Sequence, residues 1–561
     1  MTIKLNRRQA LLGATAISLT AAGCGTSRPA PPEPSGAFRH GVASGEPDAT
    51  SVVLWTAITE DGGGERGVEV ARDEAFSDIV FEQFESRTHI RMNPVSTVKI
   101  IADGLVPGTS YFYRFRFNDE YSPVGRTRTL PDGAVEQYRV AVCSCSNYPA
   151  GYFNAYAELA VRGDVDLVLH LGDYIYEYGM GGYATDDAEE MDRVPVPAHE
   201  CLSQADYAAR HALYKSDPDL QAAHASAPWF IMWDDHEVAN DAWSDGAENH
   251  NPDSGEGAYS DRRAGALRAF HDWNPTREPE DLIGTARRIE IGNLATIAIT
   301  ESRHTARTEQ LTFDSFPIPA DAEDTPENRA LVSTWLRDVV GDPSREMLGA
   351  PQIAEIADLF AASRADGKPW QILGGQVLLG KVTMPNYVEV LPGWLKWYVR
   401  NNDDLAWSYI QRSRFDSPFS FDSWDGYPAE RERLYAALNE SSGQFIALAG
   451  DTHNFWTCDL RNAAGERAGF EFGTTSITSP SPFEAVPAPG VHFGRITEAN
   501  NAEILHHEPY AKGFMVLTLG REAIETEFVE VSTIRKRGYS ASTESRWRVR
   551  RNGEALEIEA V

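Results

Sequence analysis

Metal-binding and proton-transferring side chains follow five apolar runs of this sequence, at the point where each run ends. The run Val165–Leu171 is apolar and branched, as in a strand buried on both faces, and it stops at Gly172-Asp173. Strands of open α/β sheets keep their sites at their carboxyl ends, so these side chains are expected at one edge. Four other runs end in the same way, in Cys143-Ser-Cys145-Ser-Asn147, Asp234-Asp235-His236-Glu237, Gly374-Gly375-Gln376 and Gly450-Asp451-Thr452-His453-Asn454.

Each of these clusters taken alone could be a helix cap or a turn. Their recurrence at five strand ends is harder to explain as capping, because thiol, carboxylate, imidazole and amide groups are those that bind metals and move protons. The sequence therefore predicts a metal site at one edge of an α/β sheet.

The composition restricts the classes of function. A chain of 561 residues with 42% hydrophobic residues can form two or more domains with a large core. Its formal charge of −32 argues against a specific nucleic-acid surface, which needs a basic stripe. An anionic substrate would need bound cations that dominate the local field. The five cysteines are too few and too scattered for a disulfide framework.

The amino end has the features of an export signal. Lys4, Arg7 and Arg8 precede the apolar run Ala10–Ala22, which is too short for an ordinary membrane helix. The arginine pair resembles a twin-arginine signal, so residues 1–24 are predicted to direct export to the periplasm or cell surface. Small residues before Cys24 leave open a lipid anchor at that cysteine, the one membrane attachment expected. The Pro-rich residues 25–37 are typical of an extended tether.

The remaining chain divides into two parts and an extension. Residues 38–131 have short alternating runs separated by turn clusters, and their Leu105–Tyr113 segment resembles a strand entry of a fibronectin type III-like sandwich. In residues 137–535 strands alternate with helix-like stretches, the layout of an α/β catalytic core, and residues 536–561 form a C-terminal extension. Two insertions, 180–199 and 242–261, are expected to form substrate walls or, alternatively, solvated loops.

Four motifs carry a family resemblance. They are Cys145-Ser-Asn-Tyr148, Gly172-Asp-Tyr-Ile-Tyr-Glu-Tyr178, Trp233-Asp-Asp-His-Glu-Val238 and Gly450-Asp-Thr-His-Asn454. In this order they resemble the alkaline phosphatase D (PhoD-type) family of calcineurin-like, purple acid phosphatase-like metallophosphatases. The resemblance implies an α/β core of two packed mixed β-sheets flanked by helices, preceded by the fibronectin-like sandwich.

The resemblance also implies two metal ions. Asp173 would bridge them, since one carboxylate can give an oxygen to each ion of a pair. Cys145, Tyr176 and His453 would complete the first site, whose phenolate and thiolate suit Fe³⁺. Asp235 and Asp451 would complete an oxygen-rich second site, which suits Ca²⁺ or another divalent ion.

Further residues are implied in handling the phosphate. His236 would steady the phosphate or protonate the leaving group. Asn147, Asn454 and Arg303 would contact phosphate oxygens.

These features predict an exported, monomeric phosphomonoesterase that hydrolyses small-molecule phosphate esters with metal-activated water. A phosphodiesterase, including a phospholipase D-like enzyme, remains an alternative because the same centre can attack either ester. A non-catalytic surface adhesin is a second alternative, although the complete set of candidate ligands argues against it.

Overall fold

The computed structural model describes residues 36–59, 64–85, 96–284, 287–486, 488–553 and 555–561. The predicted export signal, Cys24 and nearly all of the tether lie outside these residues. The described strands form three sheets, of ten, seven and five strands.

The strands, in chain order, are β1 Val42–Gly45, β2 Val52–Ile58, β3 Arg66–Ala71, β4 Ile79–Glu85, β5 Ser96–Ala102, β6 Ser110–Phe117, β7 Glu120–Tyr121, β8 Gly125–Arg128, β9 Gln137–Cys143, β10 Leu167–His170, β11 Trp229–Ile231, β12 Arg287–Ile291, β13 Ala295–Ile299, β14 Trp370–Gly374, β15 Phe445–Ala449, β16 Phe455–Arg461, β17 Arg467–Gly473, β18 Ile504–Glu508, β19 Lys512–Gly520, β20 Ala523–Val531, β21 Ala541–Asn552 and β22 Ala555–Ala560. The helices are α1 Asn154–Arg162, α2 Gln204–Lys215, α3 Pro218–Ser226, α4 Tyr259–Trp273, α5 Pro326–Trp335, α6 Gly349–Ala365, α7 Tyr387–Val390, α8 Gly393–Asn402, α9 Asp404–Arg412, α10 Pro428–Ser442 and α11 Phe493–Asn500.

The ten-stranded sheet carries three of the four motifs on adjacent strands. Its order is β22-β21-β20-β19-β9-β10-β11-β1-β2-β5, in which β9, β10 and β11 are parallel neighbours. All four residues of β10 are buried, as its continuous apolar run predicts for a strand covered on both faces. Helices α1 to α4 contribute to the apolar cluster on one face. The motifs therefore leave the sheet side by side, at the carboxyl ends of three parallel strands.

The seven-stranded sheet packs against the other face of the first. Its order is β12-β13-β14-β15-β17-β16-β18, with β13, β14 and β15 parallel. Leu169 of the first sheet and Ile372 of the second lie in one apolar cluster, while α6 and α10 contribute to the cluster on the outer face. Two mixed sheets flanked by helices are the predicted core. The fourth motif follows β15 in this second sheet.

The N-terminal β-rich unit is joined to the core through the sheet itself. Strands β1, β2 and β5 extend the ten-stranded sheet, whereas β3, β4, β6, β7 and β8 form the five-stranded one, with a shared apolar cluster between them. The junction is a parallel pairing of Gly45 in β1 with Trp229 in β11. A Cβ at Gly45 would lie 2.4 Å from the Pro275 carbonyl oxygen, so only glycine fits this close approach.

The carboxyl-terminal strands β21 and β22 extend the opposite end of the same sheet through β20. None of the described helices is both long enough and apolar enough to cross a membrane.

Candidate metal centre

The chain turns sharply at the strand ends that carry the candidate ligands. Cys145, Asp173, Asp451 and His453 have positive φ angles of 59°, 56°, 60° and 59°. Non-glycine residues seldom adopt this left-handed conformation, and where they do, the strain concentrates at functional sites. Four left-handed turns at three strand ends bring the side chains of both sheets into one cleft.

Two groups of potential ligands share one carboxylate. Ligand atoms of Cys145, Asp173 and His453 lie within 4.8 Å of one another, and so do those of Asp173, Asp235 and His236. Asp173 alone belongs to both groups, which is the position that its predicted bridging role requires. His236 is predicted to steady the phosphate or to donate a proton. In the structure it is a member of the second group of potential ligands.

The hydroxyl of Tyr176 lies inside the first group. It donates to Oδ2 of Asp173 (2.9 Å), accepts from Oγ of Ser479 (2.7 Å) and lies 3.3 Å from Nε2 of His453. The other ring nitrogen of His453, Nδ1, is 2.8 Å from the carbonyl oxygen of Pro480. A proton on Nδ1 makes this bond and leaves the Nε2 lone pair directed at the group, the arrangement usual for a metal-binding histidine.

Several polar atoms of the site are buried without a hydrogen-bond partner among the described residues. They are Oδ1 of Asp173, Oδ2 of Asp234, Oδ1 of Asp235 and both polar atoms of the Asn147 amide. Buried polar groups are nearly always bonded, so these atoms are available to a ligand or to water. Three of the five are carboxylate oxygens, a donor set that fits cations.

The electrostatics of the site agree with this assignment. Burial raises the pKa of the Asp173 carboxyl well above its ordinary value, and the charges of Asp235 and Asp234 raise it further. Burial likewise raises the pKa of the Asp451 carboxyl and of the Cys145 thiol. Nearby cations would reverse these shifts and keep the groups ionised, so the residues fit a metal centre.

Asp451 lines the cleft near the Asp234, Asp235 and Asp422 carboxylates, which raise its pKa along with burial. It lies on the floor of the site but outside the two close groups described above.

Arg303 is fully engaged by carboxylates. Its Nη1 and Nη2 donate to the two oxygens of Asp422 (2.7 and 2.8 Å), and its Nε donates to Oδ1 of Asp234. Nη2 is also 3.7 Å from Oδ1 of Asp235. The buried guanidinium thus holds Asp234 and Asp422 in place. It does not point into the cleft, where a phosphate contact was predicted.

His236 is held by a buried glutamate. Nδ1 of His236 is 2.8 Å from Oε2 of Glu177, and Oε1 of Glu177 accepts from the Asn240 backbone (2.8 Å) and the Asn249 amide (2.7 Å). The ring also packs on Tyr176, with centroids 4.1 Å apart. Burial lowers the pKa of His236, but the charges of Asp235 and Glu177 outweigh it and raise that pKa well above its usual range. The ring is therefore held by Glu177 and Tyr176 at the lining of the cleft.

The structure places Asn454 below the cleft. Its Nδ2 donates to Oγ of Ser481 (2.8 Å) and to the Pro509 carbonyl (3.2 Å), and its Oδ1 is 3.1 Å from Nε2 of His507. All of its polar atoms are thus bonded, and it does not line the cleft. Asn147, by contrast, is buried with its amide free of such bonds.

Sequence reasoning missed several supporting residues. Glu237 accepts from the backbone N–H groups of Asp173 (3.2 Å), Tyr174 (2.5 Å) and Asp234 (2.8 Å), so one carboxylate holds two motif loops together. Glu237 and Glu177 lie within the motifs, and the sequence signal for them is that they are motif carboxylates to which no metal-binding role was assigned. Asp422 and Ser479 lie outside every motif, and no local pattern marks them.

The cleft above the site has a volume of about 1270 Å³. Its floor is acidic, and insertion 180–199 contributes Tyr183, Asp186 and Asp187 to one side. No described residue of insertion 242–261 lines it. Another wall is apolar and includes Tyr387, Leu391, Leu395 and Tyr409.

Comparison with known proteins identifies the family. The sequence profile described as PhoD-like phosphatase matches residues 140–528, and that of the PhoD-like phosphatase N-terminal domain matches residues 23–131. The chain belongs to the PhoD-like phosphatase family. It is 35% identical over 465 residues to alkaline phosphatase D of Bacillus subtilis (strain 168), an alignment that covers 79% of this chain and 69% of that protein. A solved structure titled "Structure of PhoD" superimposes with a TM-score of 0.73 at 29% identity, covering 94% of this chain and 93% of that one.

Family membership confirms the predicted fold class, an α/β core with an N-terminal β-rich domain. It also confirms that the chain is an enzyme, a PhoD-type phosphoric ester hydrolase.

Proposed function

We propose that this chain is a metal-dependent phosphomonoesterase whose reaction takes place on the acidic floor of the cleft. The observation that carries the proposal is the pair of ligand groups that share Asp173, with unpartnered carboxylate oxygens in both. The relative from Bacillus subtilis is named an alkaline phosphatase, which supports a monoester substrate.

We assign the metals by donor chemistry. Cys145, Tyr176 and His453, with Asp173, would hold Fe³⁺. A phenolate oxygen and a thiolate sulfur suit a highly charged ion that tolerates soft ligands. Asp235, with Asp173, would hold Ca²⁺ or another divalent ion that prefers oxygen, and Asp451, which lies outside the close group, would approach as the third oxygen ligand. His236, the third member of that group, is assigned to proton transfer. When bound, two cations lower the pKa of water from ~15.7 towards ~7 and offset the charge of the phosphate.

The residues of the chain position and protonate the substrate. His236, fixed through Nδ1 by Glu177, presents its other ring nitrogen as a proton donor to the leaving oxygen. The Asn147 amide, which has no hydrogen-bond partner among the described residues, would donate to a phosphate oxygen. Arg303 keeps Asp234 and Asp235 in place, and Asn454 supports the turn at Ser481.

We propose the following organisation for the whole chain. The export signal of residues 1–24 precedes the tether 25–37, the sandwich 38–131, the catalytic domain 137–535 and the extension 536–561. The protein would act as a monomer in the periplasm or at the cell surface, with Cys24 as a candidate lipid anchor. It needs no nucleic-acid partner.

The metal assignment is tested by replacing one ligand. Asp235→Asn keeps the size of the side chain but removes a negative oxygen that no neighbour supplies. We expect loss of the second metal by elemental analysis and a fall in turnover of at least about 100-fold. Asp187→Asn, at an acid of the same cleft paired with Arg535, is the matched control and should retain metal and activity. Full metal content and activity in Asp235→Asn would refute the assignment.

The proton-donor role is tested by the leaving group. His236→Asn should lower turnover of an alkyl phosphate by roughly 100-fold or more, because a poor leaving group needs a proton. A nitrophenyl phosphate should lose less, because its leaving group departs without one. Equal losses on both substrates would make His236 a phosphate-positioning or metal-binding residue instead.

A phosphodiesterase is the second candidate, and the size of the cleft favours it. A volume of about 1270 Å³ with an apolar wall exceeds what a phosphate group with one small ester requires. The ratio of turnover on nitrophenyl phosphate to that on bis(nitrophenyl) phosphate separates the two activities.

A further inference from the structure

Insertion 242–261 contacts the site without entering the cleft. A substrate wall was one of the two roles expected for it, but none of its residues lines the cleft. Its Asn249 instead donates from Nδ2 to Oε1 of Glu177 (2.7 Å), and Oε2 of the same carboxylate is 2.8 Å from Nδ1 of His236. One buried carboxylate thus connects the insertion to the histidine of the site.

The orientation of the His236 ring depends on this carboxylate. The ring packs on Tyr176 and Tyr178, with centroids 4.1 and 5.5 Å away. Contacts with two other rings restrict the tilt of the imidazole plane, but they do not fix where the two nitrogens point within that plane. The bond between Nδ1 and Glu177 fixes this direction, and it therefore also fixes where Nε2 lies.

The carboxylate of Glu177 needs partners on both of its oxygens. The bond that joins a carboxylate to its side chain rotates freely compared with other side-chain bonds, so one partner does not hold the group. Oε1 accepts from the backbone N–H of Asn240 (2.8 Å) and from the amide of Asn249. The Asn240 bond comes from the turn that follows His236, whereas the Asn249 bond is the contribution of the insertion.

The insertion presents Asn249 from an anchored loop. The N–H of the preceding residue, Glu248, donates to the carbonyl oxygen of Asn240 (3.0 Å). Further back in the loop, the carbonyl oxygen of Ser244 accepts from Nη1 of Arg263 in helix α4 (2.6 Å). The loop is therefore attached on both sides of its turn, and the Asn249 amide has a defined position from which to hold Glu177.

We propose that insertion 242–261 positions His236 through Asn249 and Glu177. Asn249 is then a positioning residue, because it holds the carboxylate that holds the ring and does not itself line the cleft. This role rests on the proposed function, in which His236 takes part in the reaction. The insertion would thus act on turnover and not on the binding of substrate.

Two substitutions at Asn249 test this connection. Asn249→Ala should lower kcat on an alkyl phosphate by about tenfold with KM little changed, because a small displacement of a reacting group slows the reaction without weakening binding. Asn249→Asp should lose more, because a second carboxylate would then face Glu177 and repel it. Asn251→Ala, at an exposed asparagine of the same insertion, is the matched control and should behave as the parent chain. Circular dichroism checks that each variant is folded.

A double-mutant cycle separates positioning from a general structural effect. In a His236→Asn background, Asn249→Ala should cause no further loss of turnover, because the ring that it positions is absent. An equal fractional loss in both backgrounds would overturn the proposal, as would parent-like kcat in both Asn249 variants. Failure of the proton-donor role has a different signature: His236→Asn alone would then slow alkyl and nitrophenyl phosphates equally, while the loss from Asn249→Ala should still disappear in that background.

Discussion

At the scale of single residues, the site depends on side chains whose protonation is set by burial. Tyr176 illustrates this, because burial raises the pKa of its hydroxyl well above the ordinary value and the nearby Asp173 carboxylate raises it further. Only a strong positive charge at the oxygen would convert the phenol to a phenolate. The role proposed for Tyr176 therefore makes it a direct reporter of the metal.

The prediction for Tyr176 is optical. If its phenolate binds Fe³⁺, the protein should absorb visible light by charge transfer, whereas zinc gives no such band. Tyr176→Phe keeps the ring that packs on His236 but removes the oxygen, so the colour and the iron content should fall together while the protein stays folded by circular dichroism. Tyr174→Phe is the matched control, because its hydroxyl bonds to His224 away from the site. A colourless, fully active parent protein that holds zinc would disprove the iron assignment.

At the scale of elements, the sequence predicted the strands of the site better than the connections between them. The runs at β9, β10, β11, β14 and β15 were predicted because each combines a buried apolar stretch with a polar end, both local properties. The pairing of Gly45 with Trp229 joins residues that are 184 positions apart in the sequence. No pattern of apolar residues in either segment indicates which strand it pairs with. The bonds of Glu237 to two separate loops were unpredictable for the same reason, since they exist only after the strands have paired.

Strand β20 is tied to its neighbours by one carboxylate. Glu527 accepts from Thr543 (2.6 Å) and Arg546 (2.9 Å) of β21 and from Arg162 (2.9 Å) at the end of α1. Burial tends to raise the pKa of Glu527, but these hydrogen bonds and charges outweigh it and lower the pKa from 4.5 to about 2. The ionised form is therefore favoured in the folded protein.

The prediction for Glu527 concerns the pH dependence of stability. Because the folded pKa is depressed, the stabilisation is fully present above about pH 4.5 and is lost as the pH falls towards 2. Glu527→Gln should destabilise the protein by about 1 kcal/mol at pH 7, a modest value because the pairs are partly solvated. The difference from the parent, measured by urea unfolding, should shrink between pH 5 and pH 3. Glu525→Gln, at a more exposed pair with Arg548, is the control, and a pH-independent difference for Glu527→Gln would contradict the prediction.

At the scale of the whole molecule, a group of buried carboxylates lies where the two sheets meet. Asp173, Asp235, Asp422 and Asp451 are held close together, and the buried guanidinium groups of Arg303 and Arg307 offset part of their charge. Such a cluster opposes folding unless cations bind it. Metal binding should therefore contribute to the stability of both sheets as well as to catalysis.

Removal of the metals should lower the melting temperature. We expect a calcium-selective chelator to lower the thermal unfolding midpoint by several degrees, and added calcium to restore it, because ions that bind only the folded state stabilise it. Differential scanning fluorimetry measures the change. Asp173→Asn removes the shared ligand and should melt at the same temperature with and without chelator. An equal response of the parent chain and this variant would show that the chelator acts elsewhere.

The continuous ten-stranded sheet has a consequence for how this protein could evolve or be engineered. The strands next to the chemistry, β9, β10 and β11, lie in its middle, with the N-terminal strands on one side and the C-terminal strands on the other. Deleting residues 36–131 would therefore leave β11 as an open edge, in which the Trp229 carbonyl loses its hydrogen bond from Glu46 and backbone groups are free to pair with other chains. The catalytic unit cannot be cut out at the boundary that its sequence suggests. Recombination between relatives should therefore exchange the N-terminal β-rich unit together with β11, the strand with which β1 pairs.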